Sequence, residues 1–262
     1  MINNIASSRD AIRVSSVSHR FGTDEQMLAT DDVSFTVPRG QFVSIVGPSG
    51  CGKTTVLNMM AGLIRPSSGQ VLRNDKPADR VDRSVGYMFA RPGLMPWRTV
   101  EENIVLGLEF RKTPRMARDK ESERLLALVD LTEFRSAYPA ELSQGMRQRV
   151  ALARTLATDP EFLLMDEPFG ALDAQTKVVL HAEFTKVWEG TGKTVVFVTH
   201  DVAEAISLSD RVVVFSARPG RIKADITIDL PRPRHPDELR FDDRYQEYFE
   251  KIWTELRGEV RA

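Results

Sequence analysis

Eight consecutive residues, Gly47-Pro48-Ser49-Gly50-Cys51-Gly52-Lys53-Thr54, satisfy G-x-x-x-x-G-K-[ST]. Glycines at these spacings let the backbone wrap an anion so that successive N–H groups point inward, and a helix opening at Lys53 adds its positive end. The lysine ammonium suits the β- and γ-phosphates of a nucleotide, and the threonine hydroxyl suits Mg²⁺. The candidate nucleotide contacts are therefore Gly47, Pro48, Ser49, Gly50, Cys51, Gly52, Lys53, Thr54 and Thr55. Downstream, the apolar run Phe162-Leu163-Leu164-Met165 ends in Asp166-Glu167. Alone, two acids closing a strand are an ordinary solvated terminus. In a chain that also carries a phosphate turn, Asp166 is expected to hold Mg²⁺ beside Thr54, and Glu167 to polarise an attacking water.

These residues need elements to position them. The phosphate turn follows Phe42-Val43-Ser44-Ile45-Val46, a dense apolar run that reads as a central strand, and precedes a helical pattern closing on Gly62. Earlier, Ile12-Arg13-Val14 and Val33-Ser34-Phe35-Thr36-Val37 alternate as half-buried antiparallel strands do. Further strands are expected at 70–72 and 85–89. Residues 99 to about 157 change character, opening on the capping box Thr99-Val100-Glu101-Glu102, and read as a helical insertion. Beyond them, strands at 162–165, 194–198 and 211–215 alternate with helices at 174–189 and 202–207, the signature of a parallel sheet covered on both faces. The fold class is thus α/β, with an antiparallel β subdomain, a parallel α/β core and the helical insertion. Residues 231–236, Pro231-Arg232-Pro233-Arg234-His235-Pro236, read as a stiff linker to a last helix bearing Tyr245, Phe249, Ile252 and Leu256 on one face.

Composition narrows the function classes. The 262 residues carry 36 Lys and Arg against 37 Asp and Glu, a formal charge of −1. That balance argues against binding nucleic acid through bulk charge. No apolar run approaches the roughly 20 residues of a membrane helix, and no charged-then-apolar leader opens the chain. One cysteine, Cys51, excludes an internal disulfide framework and points to the cytosol. Its place in the phosphate turn raises the expectation of thiol-sensitive activity.

Four further motifs make the chain resemble the ATP-binding-cassette (ABC) ATPases. Leu142-Ser143-Gln144-Gly145-Met146 is similar to their LSGGQ signature, Ala171-Leu172-Asp173 to their D-loop, and Thr199-His200-Asp201 to the segment of their switch histidine. Gly93-Leu94-Met95-Pro96-Trp97-Arg98-Thr99-Val100 resembles the stretch after their Q-loop. The resemblance spans about residues 12 to 216 and implies an ABC ATPase domain over 12–235 with a helical tail over 236–262. It implies that ATP and Mg²⁺ are bound, that His200 acts with Glu167 in catalysis, and that Phe21 stacks on adenine, the alternative being a core aromatic. Ser143 and Gly145 would contact the γ-phosphate of a second copy's nucleotide in a head-to-tail homodimer.

Such a subunit would sit on the cytoplasmic face of the inner membrane beside integral-membrane permease subunits, with residues 91–99 as the docking surface and an external solute-binding protein in the full system. Pro96-Trp97, Arg218-Pro219-Gly220-Arg221-Ile222 and Leu230-Pro231-Arg232-Pro233-Arg234 resemble the nitrate/sulfonate/taurine importer group. Two positions depart from the family pattern. Ala90 stands where a metal-ligating glutamine is usual, implying weaker metal coordination or weaker coupling to transport. Gln144 and Met146 replace a signature Gly and Gln. A nucleotide-dependent regulatory module with weak hydrolysis and an ABC ATPase working on nucleic acid are the competing readings.

Overall fold

Alternating apolar residues make β1 (Asp10–Phe21) and β2 (Met27–Pro38) a long antiparallel pair. Ile12, Val14 and Val17 from one and Val33, Phe35 and Val37 from the other are buried. With β4 (Ser68–Arg73) and β5 (Lys76–Pro77) they form a four-stranded sheet in the order β2-β1-β4-β5. A second, six-stranded sheet contains β3 (Phe42–Val46), β6 (Val85–Met88), β7 (Phe162–Asp166), β8 (Thr194–Val198), β9 (Arg211–Phe215) and β10 (Ile222–Thr227). Its order is β10-β9-β3-β8-β7-β6; all pairs are parallel except β10 with β9. This computed structural model describes residues 10–22, 27–170, 172–234, 239 and 241–258.

Every residue of β3, β7 and β8 is buried, so these strands show no polar alternation. Successive side chains instead divide between two cores. Val43, Ile45, Leu164, Val196 and Val198 face α1 (Lys53–Ala61) and the first sheet. Phe42, Leu163, Met165, Val195 and Phe197 face the helices inserted between β6 and β7. These are α2 (Val100–Ile104), α3 (Leu106–Phe110), α4 (Arg115–Leu128) and α5 (Gln144–Ala157). The expected capping box is present: Thr99 Oγ1 accepts from Glu102 N–H, and the Glu102 carboxylate accepts from Thr99 N–H at 2.9 Å. α6 (Ala174–Thr191) and α7 (Val202–Leu208) complete the α/β core. Among the described residues, no helix is long and apolar enough to cross a membrane.

Two parts of the architecture differ from the sequence reading. The edge strand β10 alternates apolar and polar residues from Ile222 to Thr227, with only Ile226 buried, and is absent from the elements expected above. Residues 231–234 are not a linker but a packed strap. The Arg234 guanidinium is 5% exposed and donates to the carbonyls of Ile206, Ser209, Ile228 and Leu230 at 2.6–3.1 Å. Burial lowers its pKa to about 10. Arg232 lies over the Trp188 ring at 4.3 Å and pairs with Asp210. Five donors in a planar fork can satisfy carbonyls left open at the end of α7, which composition alone does not reveal. His235 and Pro236 lie outside the described residues. The C-terminal helix (Asp243–Arg257) then buries Tyr245, Ile252 and Leu256 against α7 and β9.

Candidate nucleotide site

β3 delivers the chain to the phosphate turn, and the turn can close because its glycines take conformations other residues avoid. Gly52 has φ +94°, and a Cβ there would lie 2.6 Å from Thr30 Cγ2 and 2.8 Å from the Ala29 carbonyl oxygen. Both backbone and space therefore require glycine. No side chain caps the N-terminus of α1, so its first N–H groups remain available to an anion. Lys53, 6% exposed, donates from Nζ to the carbonyls of Gly47 (2.7 Å) and Pro48 (2.8 Å). The ammonium is thus held over the turn by carbonyls instead of being neutralised by a carboxylate. Cys51 is 1% exposed and its Sγ lies 3.8 Å from Lys53 Nζ; burial pushes the thiol pKa up. A thiol reagent reaches it only when the turn opens.

β7 brings the acids to the same place. Thr54 Oγ1 donates to both Asp166 oxygens, at 2.9 and 3.1 Å. Burial pushes the Asp166 carboxyl up, and the Thr54 bond opposes the rise. This hydroxyl–carboxylate pair is a hard-oxygen set suited to Mg²⁺, which keeps most of its ligands as water and phosphate. Among the described residues there is no group of three or more His, Cys, Asp or Glu that would form a protein cage. Glu167 takes φ +45° while its N–H donates to Val198 O at 2.9 Å. That left-handed conformation, unfavourable by about 1–2 kcal/mol for a non-glycine residue, turns its side chain into the cleft above the phosphate turn. His200, just after β8, sets Nδ1 3.4 Å from Glu167 Oε2.

The cleft holds about 350 Å³ and is lined by Ser49 to Thr55, Glu167, Phe21, Met27, Ala29 and Arg218. Phe21 is 43% exposed and meets His19 edge-on at 4.5 Å, which places it on the cleft wall and not in the core. Sequence reasoning missed Met27, Ala29 and Arg218 as lining residues; Arg218 stood out only within a stretch of family resemblance. Arg218 Nε donates to the Leu28 carbonyl at 3.2 Å. Next to it, Gly220 bridges to β2 on both sides: its N–H donates to Ala29 O (2.9 Å), and its carbonyl accepts from Asp31 N–H (3.0 Å). A Cβ on Gly220 would fall 1.9 Å from the Cys51 carbonyl oxygen.

Ser143 and Gly145 stand elsewhere. Ser143 caps α5, its Oγ accepting from Met146 N–H at 3.2 Å. This helix start opens on a separate cleft of about 510 Å³, bordered by Phe134, Leu172, Asp173 and Thr176, which shares no lining residue with the first. Asp173 caps α6 by accepting from Thr176 N–H (3.0 Å) and Oγ1 (2.6 Å); Ala171 lies outside the described residues. The structure thus gathers Phe21, the phosphate turn, Thr54, Asp166, Glu167 and His200, and leaves Ser143 and Gly145 apart. Ala90 is exposed and offers only a methyl.

Residues 30–170 match the family described as ABC transporter. An uncharacterized ABC transporter ATP-binding protein of Methanocaldococcus jannaschii is 49% identical over 88% of this chain and 85% of its own length. A taurine import ATP-binding protein of Roseobacter denitrificans is 39% identical over 92% of this chain and 94% of its own. Among solved structures, a dimeric bacterial ABC transporter cassette aligns with a TM-score of 0.76 at 32% identity, covering 84% of this chain and all of that one. A post-hydrolysis cassette dimer bound to ADP and Pi aligns equally well, at 31% identity over the same shares of the two chains.

Proposed function

Because the chain belongs to the ABC transporter family and is an ATPase with a cassette fold, we propose that it hydrolyses MgATP as one half of a homodimer to energise an importer of a small anion or sulfonate. The observation that carries the catalytic reading is the convergence of Thr54, Asp166, Glu167 and His200 on one phosphate turn. Lys53 and the bare N-terminus of α1 hold the β- and γ-phosphates. Thr54 and Asp166 hold Mg²⁺, which when bound neutralises charge on the phosphate oxygens. Glu167 accepts a proton from water as its oxygen attacks the γ-phosphorus; the bond to the bridging oxygen breaks and ADP leaves. His200 steadies Glu167 and donates toward the γ-phosphate. Phe21 offers a face to the adenine.

The dimer is supported by the separateness of the two clefts. The α5 N-terminus, with Ser143 and Gly145, opens on a cleft that shares no lining residue with the phosphate cleft, which favours a second copy supplying it head-to-tail; two similar solved cassettes are dimeric. Trp97, 71% exposed, supports residues 91–99 as the contact with integral-membrane permease subunits at the cytoplasmic face of the inner membrane. The Arg98 side chain within that stretch is engaged by Glu109 at 2.6 Å. The similarity to taurine import subunits, 39% and 42% identical, favours a sulfonate or a related anion delivered by an external solute-binding protein. Exposed Ala90 favours one second reading, a regulatory cassette with weak hydrolysis.

Single-turnover hydrolysis by Glu167→Gln separates the two. The proposal expects turnover to fall about 10²- to 10³-fold while ATP stays bound and a dimer accumulates on size-exclusion chromatography. Unchanged hydrolysis in that variant overturns the role of Glu167. Growth of a deletion strain on taurine or alkanesulfonates as sole sulfur source tests the transported solute.

A further inference from the structure

Behind the His200 turn lies a cluster of ionisable groups, with Glu204 and His181 buried and Lys177 and Asp201 half-buried, none of which lines the nucleotide cleft. Glu204 on α7 is 4% exposed. Its Oε2 accepts from Thr199 Oγ1 at 2.6 Å, and its Oε1 stands 3.0 Å from Lys177 Nζ and 3.6 Å from His181 Nε2. Lys177 also reaches Asp201 Oδ2 at 3.6 Å. Thr199 and Asp201 flank His200 and are bonded to each other, Asp201 N–H donating to Thr199 Oγ1 at 3.0 Å. Asp201 in turn caps α7, accepting from Ala203 and Glu204 N–H. Both neighbours of His200 are therefore anchored to one carboxylate or to its lysine.

The other side of the cluster belongs to α6. Lys177 N–H donates to the carbonyl of Asp173, the cap of that helix, and His181 lies one turn further on with its ring 4.8 Å from Phe169. Phe169 follows Glu167 by two residues. The first turn of α6 also meets the start of α5: a Cβ on Gly145 would sit 3.4 Å from Thr176 Cγ2 and 3.5 Å from Leu172 Cδ2. The start of α5 with Ser143 and Gly145 thus borders the beginning of α6, whose Lys177 and His181 in turn meet Glu204 beside the His200 turn. His181 Nε2 lies 3.6 Å from Glu204 Oε1, just beyond ordinary hydrogen-bond length, so a sliding of α6 by less than about 1 Å would tighten or release this contact. Packed layers of this kind respond by stepping between discrete arrangements.

We infer that Glu204 is a positioning residue for hydrolysis: it fixes His200 against Glu167 through Thr199 and ties that position, through Lys177 and His181, to the placement of α6 and the Ser143 helix start. Burial alone would raise its pKa, but His181, the Thr199 hydroxyl and Lys177 hold the carboxyl down to about 2, so it is a fixed negative charge at neutral pH. Replacing the carboxylate by an amide removes the charge that faces Lys177 and His181 and weakens the acceptor for Thr199, at a position that lines no part of the nucleotide cleft. The inference rests on the proposed role of His200, and the experiment keeps the two apart.

Single-turnover ATP hydrolysis and fluorescent-nucleotide binding are measured for Glu204→Gln, His200→Ala and the double variant. In E204Q the rate is expected to fall about tenfold with the nucleotide Kd within about twofold, whereas the double variant is no slower than H200A alone. Thr199→Val, which removes only the hydroxyl, should reproduce the loss, and Thr199→Ser should restore the rate; this pair carries the test if E204Q does not fold. Multiplicative losses in the double variant, or a wild-type rate in both E204Q and T199V, overturn the inference while leaving His200 its role. A wild-type rate in H200A overturns that role and this inference together.

Discussion

Gly220 is remote in sequence from the phosphate turn, yet the structure makes it a wall of that turn. In Gly220→Ala the new methyl would lie 1.9 Å from the Cys51 carbonyl oxygen, 3.1 Å from the Cys51 carbonyl carbon and 3.2 Å from Phe215 Cδ1. Phe215 is fully buried and cannot withdraw. Either the loop carrying Gly220 lifts, or the turn moves by about 1 Å to restore ordinary contact. Lifting the loop breaks the two hydrogen bonds that join Gly220 to β2 and strains the packing, a destabilisation of roughly 2–4 kcal/mol. Moving the turn leaves more of the stability but misplaces N–H groups aimed at phosphate, at a cost of about 10- to 100-fold in affinity. Thermal unfolding with and without MgADP, together with a fluorescent-nucleotide titration, reads both branches. A melting temperature lower by about 5–10 °C, or nucleotide binding weakened more than tenfold, is expected. Gly190→Ala is the control: nothing lies within 4 Å of the new methyl on α6, and stability should rise by about 0.5–1 kcal/mol. If G220A matches the wild type in both stability and nucleotide affinity, the claim that this loop buttresses the turn is wrong.

Three further outcomes follow from the geometry. Thr54→Val removes the hydroxyl shared with Asp166, so the Mg²⁺ concentration giving half-maximal hydrolysis should rise about 10- to 100-fold; an unchanged Mg²⁺ titration contradicts the assignment. Arg234→Ala strips the donors from four buried carbonyls and should lower unfolding stability by about 2–4 kcal/mol in a urea titration, with single-turnover hydrolysis intact at low temperature. The carboxyl of Glu204, held near 2 in the folded chain against about 4.5 in the unfolded one, contributes stability that is complete above about pH 4.5 and disappears as the pH falls toward 2. Comparing wild type and E204Q by denaturant titration should therefore show a gap, on the order of 3 kcal/mol at most, that closes through this window. A gap that persists at pH 2 refutes the linkage.

What was legible in the sequence is what the chain keeps contiguous. The phosphate turn and the Ser143 cap announce themselves because their partners lie within a few residues along a turn or a helix start, while Asp166 and Glu167 gain meaning only beside the distant turn that holds Thr54. The fully buried strands β3, β7 and β8 are equally plain, since burial on both faces demands unbroken apolar runs such as Val195 to Val198. Met27, Ala29, Arg218 and Gly220 were opaque for the opposite reason: their role arises only where the loop after β9 meets β2 across the turn. Arg234 was misread because charge and proline content resemble a solvated spacer, and nothing local records that carbonyls at the end of α7 await a donor. The meeting of Lys177, His181 and Glu204 was invisible too, as three ordinary polar positions on two amphipathic helices.

The two clefts that share no wall set a rule of number for the proposed enzyme. On the proposed head-to-tail reading, occupancy of the glycine turn would be a property of each molecule and track only the nucleotide supply, whereas cleavage would need two molecules facing each other. At dilutions where encounters are rare, the chain would store ATP without spending it. A permease that gathers two copies side by side would then act as the ignition, confining consumption to the places where there is something to carry.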